Sequence, residues 1–349
     1  MTRRRTGRAQ AWAELLRVSA LFSVPGDALA GAAAAGVRPG RGTLCAIGAS
    51  LCLYEAGMAL NDWADRAEDA AERPHRPLPS GRIAPSAALA ASAALTAAGL
   101  ALASRAGSPP LAVATALAAT VWAYDLGLKH TPAGPGTMAT ARALDLLLGA
   151  TASTGGNRGP HHRALRALPS AALLGAHTYA VTAVSRHETQ GGSTRTPLAA
   201  LAVTLAVAGA ASGEVLGARP ATTVSGPPAP APHPHPALPS GRTLPSSRPL
   251  PPSRPLPSRP PRPSRRSVPS RGLGSLLALA YARTPATLLL HAALNPSAAL
   301  TERAVGGGIR ATIPLQAALA ARAGAPGTAL ALLGLVPAAR ALARKVSPT

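Results

Sequence analysis

Asn61-Asp62-Trp63-Ala64-Asp65-Arg66-Ala67-Glu68-Asp69 directly follows an apolar run over residues 42–60. On a helix, Asp62, Asp65 and Asp69 are spaced i, i+3, i+7, so three carboxylates stand on one face. Like charges so placed repel, more strongly beside a bilayer than in water. A cation between them would relieve that. Mg²⁺ typically takes one or two carboxylates together with substrate phosphates. The chain continues through Arg73, Arg76 and Arg82, whose forked donors suit phosphate oxygens. Acids followed by arginines at a membrane edge suggest a metal–diphosphate site. The plainer alternative is a solvated, salt-bridged loop.

Other polar residues sit within or beside apolar runs. Arg17 and Asp27 fall in the first, and an intramembrane acid is a functional candidate by default. Tyr54 and Glu55 lie near the end of the second. Tyr124, Asp125 and Lys129 close the fourth; Asp125 and Lys129 are i, i+4 and can pair, or Lys129 can bind phosphate while Tyr124 lines a pocket. Arg142 and Asp145 are one turn apart in the fifth, as a buried pair or as a polar pocket wall. His177, Tyr179 and Thr182 lie in the sixth, which exits into Ser185-Arg186-His187-Glu188, a second polar cluster. His177 or His187 could accept a proton from a substrate or be a satisfied helix histidine. His161-His162 point in different directions on any regular element, which disfavours a metal site. Cys45 and Cys52 share one apolar segment and read as packing residues, not a disulfide.

These side chains must be carried by long apolar elements. The chain has 349 residues, 47% hydrophobic and only 14% charged, with mean hydropathy +0.17. Nearly charge-free Ala/Leu/Val runs argue for several membrane-spanning helices, at about 15–37, 42–60, 84–103, 111–128, 137–152, 169–184, 197–216, 273–294, 304–321 and 325–342. That makes an all-α polytopic protein with nine or ten spans, depending on whether the last three all cross. Residues 217–272 are rich in Pro, Arg and Ser and read as a disordered insertion within one membrane domain formed by 1–216 and 273–349. The net charge of +22 resides in loops, termini and this insertion. It predicts no specific nucleic-acid partner, because no aromatic-interleaved basic groove or zinc spacing accompanies it. Arg3, Arg4, Arg5 and Arg8 read as an inside anchor and not a cleaved signal. The N-terminus and both polar clusters then fall on the cytoplasmic side of the cell membrane.

At the acidic run the chain resembles the UbiA-type intramembrane prenyltransferases. Asn61, Asp62, Asp65 and Asp69 match their Asn-Asp-x-x-Asp-x-x-x-Asp motif in order, and Arg76-Pro77-Leu78-Pro79-Ser80-Gly81 matches its tail. Tyr124 and Lys129 resemble the family's Tyr/Lys pair after the fourth helix. The resemblance implies about nine helices around a central cavity. It also implies an isoprenyl diphosphate donor, a small acceptor in a lipid-open cavity, and Mg²⁺. Asp62, Asp65, Asp69 and Glu188 would then hold metal. Asn61, Arg73, Arg76, Lys129 and Arg186 would contact diphosphate, and Tyr54, Tyr124, Asp145, His177 and Tyr179 would line the pocket. The chain departs from the family at three points. Its second cluster has one carboxylate, Glu188, where an acid pair is usual. Asp145 stands where Asn is frequent. Aromatics are only 2% of the chain. The alternatives are a polyprenyl-phosphate glycosyl or phosphoribosyl transferase of the same fold, and a non-catalytic lipid-binding component. No protein partner is legible.

Overall fold

The computed structural model describes residues 2–17, 23–155, 161–187, 193–213 and 269–346. The described elements are helices: α1 Thr2–Leu15, α2 Val24–Ala34, α3 Arg41–Ala64, α4 Arg66–Glu72, α5 Pro85–Ala106, α6 Ser108–Leu126, α7 Gly134–Ser153, α8 His161–Leu165, α9 Leu168–Ser185, α10 Arg195–Ser212, α11 Pro269–Leu294, α12 Ala298–Arg322 and α13 Pro326–Val346. A single 3₁₀ turn, Leu128–His130, lies between α6 and α7. Proline begins α2, α5, α6, α7 and α9, where its missing N–H costs nothing. Glycine in the left-handed region ends α10 at Gly213.

Five stretches are long and apolar enough to cross a membrane: Arg41–Ala64, Pro85–Ala106, His162–Ser185, Arg195–Ser212 and Gly272–Leu294. The chain is therefore a multi-pass membrane protein, with fewer crossings meeting both criteria among the described residues than the nine or ten expected. Of the expected first crossing over 15–37, residues 18–22 lie outside the described residues. α1 stops at Leu15, the backbone turns at Arg17 with φ 47°, and α2 has 11 residues. At 1.5 Å per residue α2 is about 16 Å long, roughly half an apolar bilayer core. The insertion boundary shifts too: residues 269–272 begin α11, while 217–268 lie outside the described residues. Every described helix belongs to one compact unit, Met1–Leu216 with Val268–Thr349.

Packing centres on α7. Its Leu146 and Ala150 join a cluster with Leu174, Tyr281, Leu315, Leu319 and Leu332. Its Leu148 and Ala152 face Ala46, Ala49, Leu53 and Leu117. Small residues make this possible. A Cβ on Gly149 would meet the backbone of Ala28, one on Gly31 the carbonyl of Leu146, and one on Gly42 the carbonyl of Ala152. Close backbone approach at glycine is how helices associate where the solvent is itself apolar. Here it brings α2 and α3 onto the helix that carries Arg142 and Asp145.

Candidate active site

The acidic run is shaped by its tail. Gly81 takes φ 72°, the Ile83 amide donates to Pro77 O at 3.1 Å, and the Ser80 hydroxyl donates to Arg76 O at 2.6 Å. This turn seats Leu78 and Ile83 in an apolar patch with Ala11, Leu15, Ala59 and Ala88. Arg82 is held away from the acids. It makes two bonds to Glu14, at 2.7 and 3.1 Å, and one to His75 O at 2.6 Å. The fixed loop presents Arg76 inward, where its Nη1 lies 2.7 Å from Asp69 and 3.4 Å from Asp62. Both carboxylates are nearly buried, Asp62 4% and Asp69 2% exposed. Arg17 adds a contact to Asp62 at 3.2 Å, and Arg73 one to Asp69 at 3.5 Å.

The third acid behaves differently. Asp65 is the residue between α3 and α4, and it pairs with Lys129. Of the two readings of Lys129, the ion pair with Asp125 does not form. α6 ends at Leu126, and the 3₁₀ turn after Gly127 carries Lys129 across to Asp65. Asp125 instead accepts from Asn61 Nδ2 at 3.2 Å. The second polar cluster reaches the same place, with Arg186 donating to Thr131 O, just after that turn. Glu188 lies outside the described residues.

Two cavities share walls beside this cluster. The smaller, about 290 Å³, is lined by Tyr54, Met58, Asn61, Tyr124, Asp125, Arg142 and Asp145, among others. The larger, about 970 Å³, shares Arg17, Tyr54, Met58, Tyr124, Met138 and Arg142, and adds His177, Thr182, Ser185, Glu302, Arg303 and Arg310. Tyr179, expected in the pocket, lines neither and is 50% exposed. Two residues on from His177, it falls on the opposite side of α9.

Behind the walls lies a buried polar network. Arg142 pairs with Asp27 at 3.1 Å, not with Asp145, which accepts from Ser50 at 2.5 Å. Gln316 donates to Asp27 at 2.6 Å and to Ser23 O at 2.8 Å. It fits because Gly26 has no Cβ there. His177 uses both nitrogens: Nε2 lies 3.1 Å from Gly308 O, and Nδ1 lies 3.0 Å from the Tyr281 hydroxyl. A carbonyl only accepts, so Nε2 carries the proton and Nδ1 accepts from Tyr281. That leaves no free lone pair for proton transfer. Sequence reasoning missed Ser50, Gln316, Glu302, Arg303 and Arg310. For the last two, a signal was present: basic residues seven apart around Gly306-Gly307-Gly308.

The donor set can be tested against a divalent ion. Carboxylate oxygens at Asp62 and Asp69 already converge on one cationic nitrogen, which is the arrangement a hard ion needs. Asp65 does not join them. Among the described residues, the group of three metal-type ligands whose atoms all lie within 4.8 Å of one another is Asp65, Glu68 and His130. Asp62, Asp65 and Asp69 do not form such a group of three; each is paired with a cation instead.

Residues 20–222 match the UbiA prenyltransferase family, more than half of the chain. Over 149 residues the chain is 34% identical to digeranylgeranylglyceryl phosphate synthase of Korarchaeum cryptofilum, covering 42% of this chain and 53% of that protein. Over 128 residues it is 33% identical to digeranylgeranylglyceryl phosphate synthase of Methanopyrus kandleri, covering 35% and 45%. The chain thus spans about half the length of the curated relatives it matches. Two solved structures share the fold at TM-score 0.57. One comes from work on the structure and mechanism of digeranylgeranylglyceryl phosphate synthase in membranes, at 13% identity over 90% of this chain and 98% of that one. The other is an apo UbiA homologue from Aeropyrum pernix K1, at 15% identity over 86% and 96%. The chain belongs to the UbiA prenyltransferase family.

Proposed function

We propose that this UbiA-family member moves an isoprenyl group from its diphosphate to a hydroxyl of a small acceptor. The observation that carries the reading is the convergence of two nearly buried acids, Asp62 and Asp69, on Arg76. It occurs beside cavities walled by Tyr54 and Tyr124. Arg76, Arg73 and Lys129 would take the diphosphate. Asp62 and Asp69 would hold a divalent ion, with Asp65 and Lys129 alongside; Mg²⁺ is the ion these oxygen donors suit. When bound, the metal supplies charge stabilisation for the departing diphosphate. The allylic C–O bond breaks with its electron pair leaving on the diphosphate. Tyr54 and Tyr124 present ring faces that stabilise the allylic cation. The acceptor oxygen then forms the new C–O bond, and its proton passes to the released diphosphate or to water. Arg186 would support the diphosphate side through the 128–131 segment, and Asp145 would keep the inner wall polar. The polar cluster would face the cytoplasm.

The relatives' product is a glyceryl phosphate with two geranylgeranyl groups, so an alkylglyceryl phosphate is the first acceptor to supply. Purified protein in detergent should release diphosphate from geranylgeranyl diphosphate only when acceptor and Mg²⁺ are present. EDTA should stop release and added Mg²⁺ restore it. Asp62→Ala and Asp69→Ala should each lower the rate by at least about a hundredfold, the scale of losing a charge-stabilising group. Equal release by variants and wild type would remove the assignment.

A further inference from the structure

The larger cavity is bordered by four arginines and one carboxylate, Glu302. Two of the arginines are neutralised by acids behind the wall: Arg17 by Asp62 and Arg142 by Asp27. Arg303 and Arg310, both on α12, have no acidic partner among the described residues. Arg310 is the thirteenth of the 25 residues of α12, at the middle of a helix packed against α9 and α11, both of which lie in membrane-crossing stretches. Both arginines are exposed and both border the cavity, so their guanidinium groups are open to an anionic ligand. Arg303 and Arg310 are seven residues apart, so they share one face of α12 about 10 Å apart along its axis. Gly306 lies between them. Arg310 Nη1 folds to within 3.2 Å of where a Cβ on Gly306 would stand, so the missing side chain makes the floor on which the guanidinium lies.

We propose that Arg303 and Arg310 bind the phosphate headgroup of the acceptor, separately from the cations that take the donor's diphosphate. Arg76 and Lys129 border neither cavity, whereas Arg303 and Arg310 border the larger one. Tyr54 and Tyr124 border both cavities, so they stand where a chain bound from one side meets an acceptor bound from the other. Paired guanidinium forks are the usual protein answer to a phosphate monoester, and a neutral phenolic acceptor has no use for them. Glu302 suits a hydroxyl donor on the same acceptor. The proposal rests on the transferase reading above and sharpens it: the acceptor is an anionic amphiphile.

The test uses the full chain in detergent and reads binding, which does not require turnover. The probes are 1-hexadecylglycerol with and without a terminal phosphate. Wild type should bind the phosphorylated probe at least about tenfold more tightly, as expected for charge-assisted hydrogen bonds. The double variant Arg303→Gln/Arg310→Gln should bind both alike while keeping its affinity for geranylgeranyl diphosphate, which also shows that it has folded. Gly306→Leu, which displaces Arg310 without removing it, should lose part of the preference. Equal binding of both probes by wild type would overturn the proposal, as would a phosphate preference that survives the double variant. If the double variant instead lost only its response to anionic lipid in nanodiscs, the arginines would be a bilayer contact and the proposal would again fall. Absence of turnover with every acceptor would remove the transferase reading alone.

Discussion

Arg76 and His177 show how differently two buried-site residues can act. Arg76 lies between Asp62 and Asp69, each also touched by a second guanidinium. Arg76→Gln leaves each nearly buried carboxylate with one cation, Arg17 for Asp62 and Arg73 for Asp69. Removing one member of a buried charge set outright costs about 3–5 kcal/mol. With Arg17 and Arg73 remaining, the expected loss is about 1–3 kcal/mol, read as a lower thermal midpoint in detergent. Added Mg²⁺ should recover part of that loss, because an ion between the two acids replaces the missing cation. His177 spends both nitrogens on Gly308 O and Tyr281. His177→Leu removes its bonds to Gly308 O and the Tyr281 hydroxyl, a cost of about 1–3 kcal/mol. The pH profile of turnover should not move, and loss of its acidic limb would return His177 to the list of proton acceptors. Tyr281→Phe should be milder, and the double variant less than additive, since the two share one bond.

At the scale of elements, α7 positions the site. It carries Arg142 and Asp145 to the cavity wall and meets α2 and α3 through backbone contacts that only glycine allows. Gly149→Leu would drive a side chain into the Ala28 backbone, and overpacking of this kind costs about 1–3 kcal/mol. It should also part Arg142 from Asp27, so turnover should fall further than stability; an unchanged rate would show that α2 does not set the wall. The acidic run, its Arg-Pro-Leu tail and the long apolar helices were legible in the sequence because each is a local pattern. Partner choice was not. Sequence spacing allows pairs of Arg142 with Asp145 and of Asp125 with Lys129, beside a polar pocket wall and a phosphate-binding Lys129, yet the acids that Arg142 and Lys129 meet in space are Asp27 and Asp65. Both come from elements distant in sequence, through a helix pairing and a helix end that periodicity does not encode. Likewise, i, i+3, i+7 spacing placed Asp62, Asp65 and Asp69 on one face. The break at Asp65 between α3 and α4 turns the middle acid to another cation.

For the whole molecule, the relevant fact is that α10 and α11 pack directly on one another although 56 residues separate Ser212 from Pro269. Near their junction, a Cβ on Gly274 would lie 3.9 Å from Ser212 O. The two ends are thus already within reach of a short loop, and helix–helix connections of 2–8 residues are ordinary. Shortening the connection lowers the entropy of closing it, by only about 0.6 kcal/mol per halving of length. Each described helix belongs to the unit that excludes Gly217–Ser267, so deleting that segment and joining its flanks with a six-residue Gly/Ser linker removes none of the described contacts. The deleted chain should therefore match the full chain in thermal midpoint to within about 3 °C, in keeping with a change of well under 1 kcal/mol. Its diphosphate release should stay within about twofold of the full chain's, the rate change that a few tenths of a kcal/mol would bring. Stability retained with turnover lost would mean that 217–267 contributes to substrate handling, and a chain that fails to fold would mean that this segment organises α10 and α11.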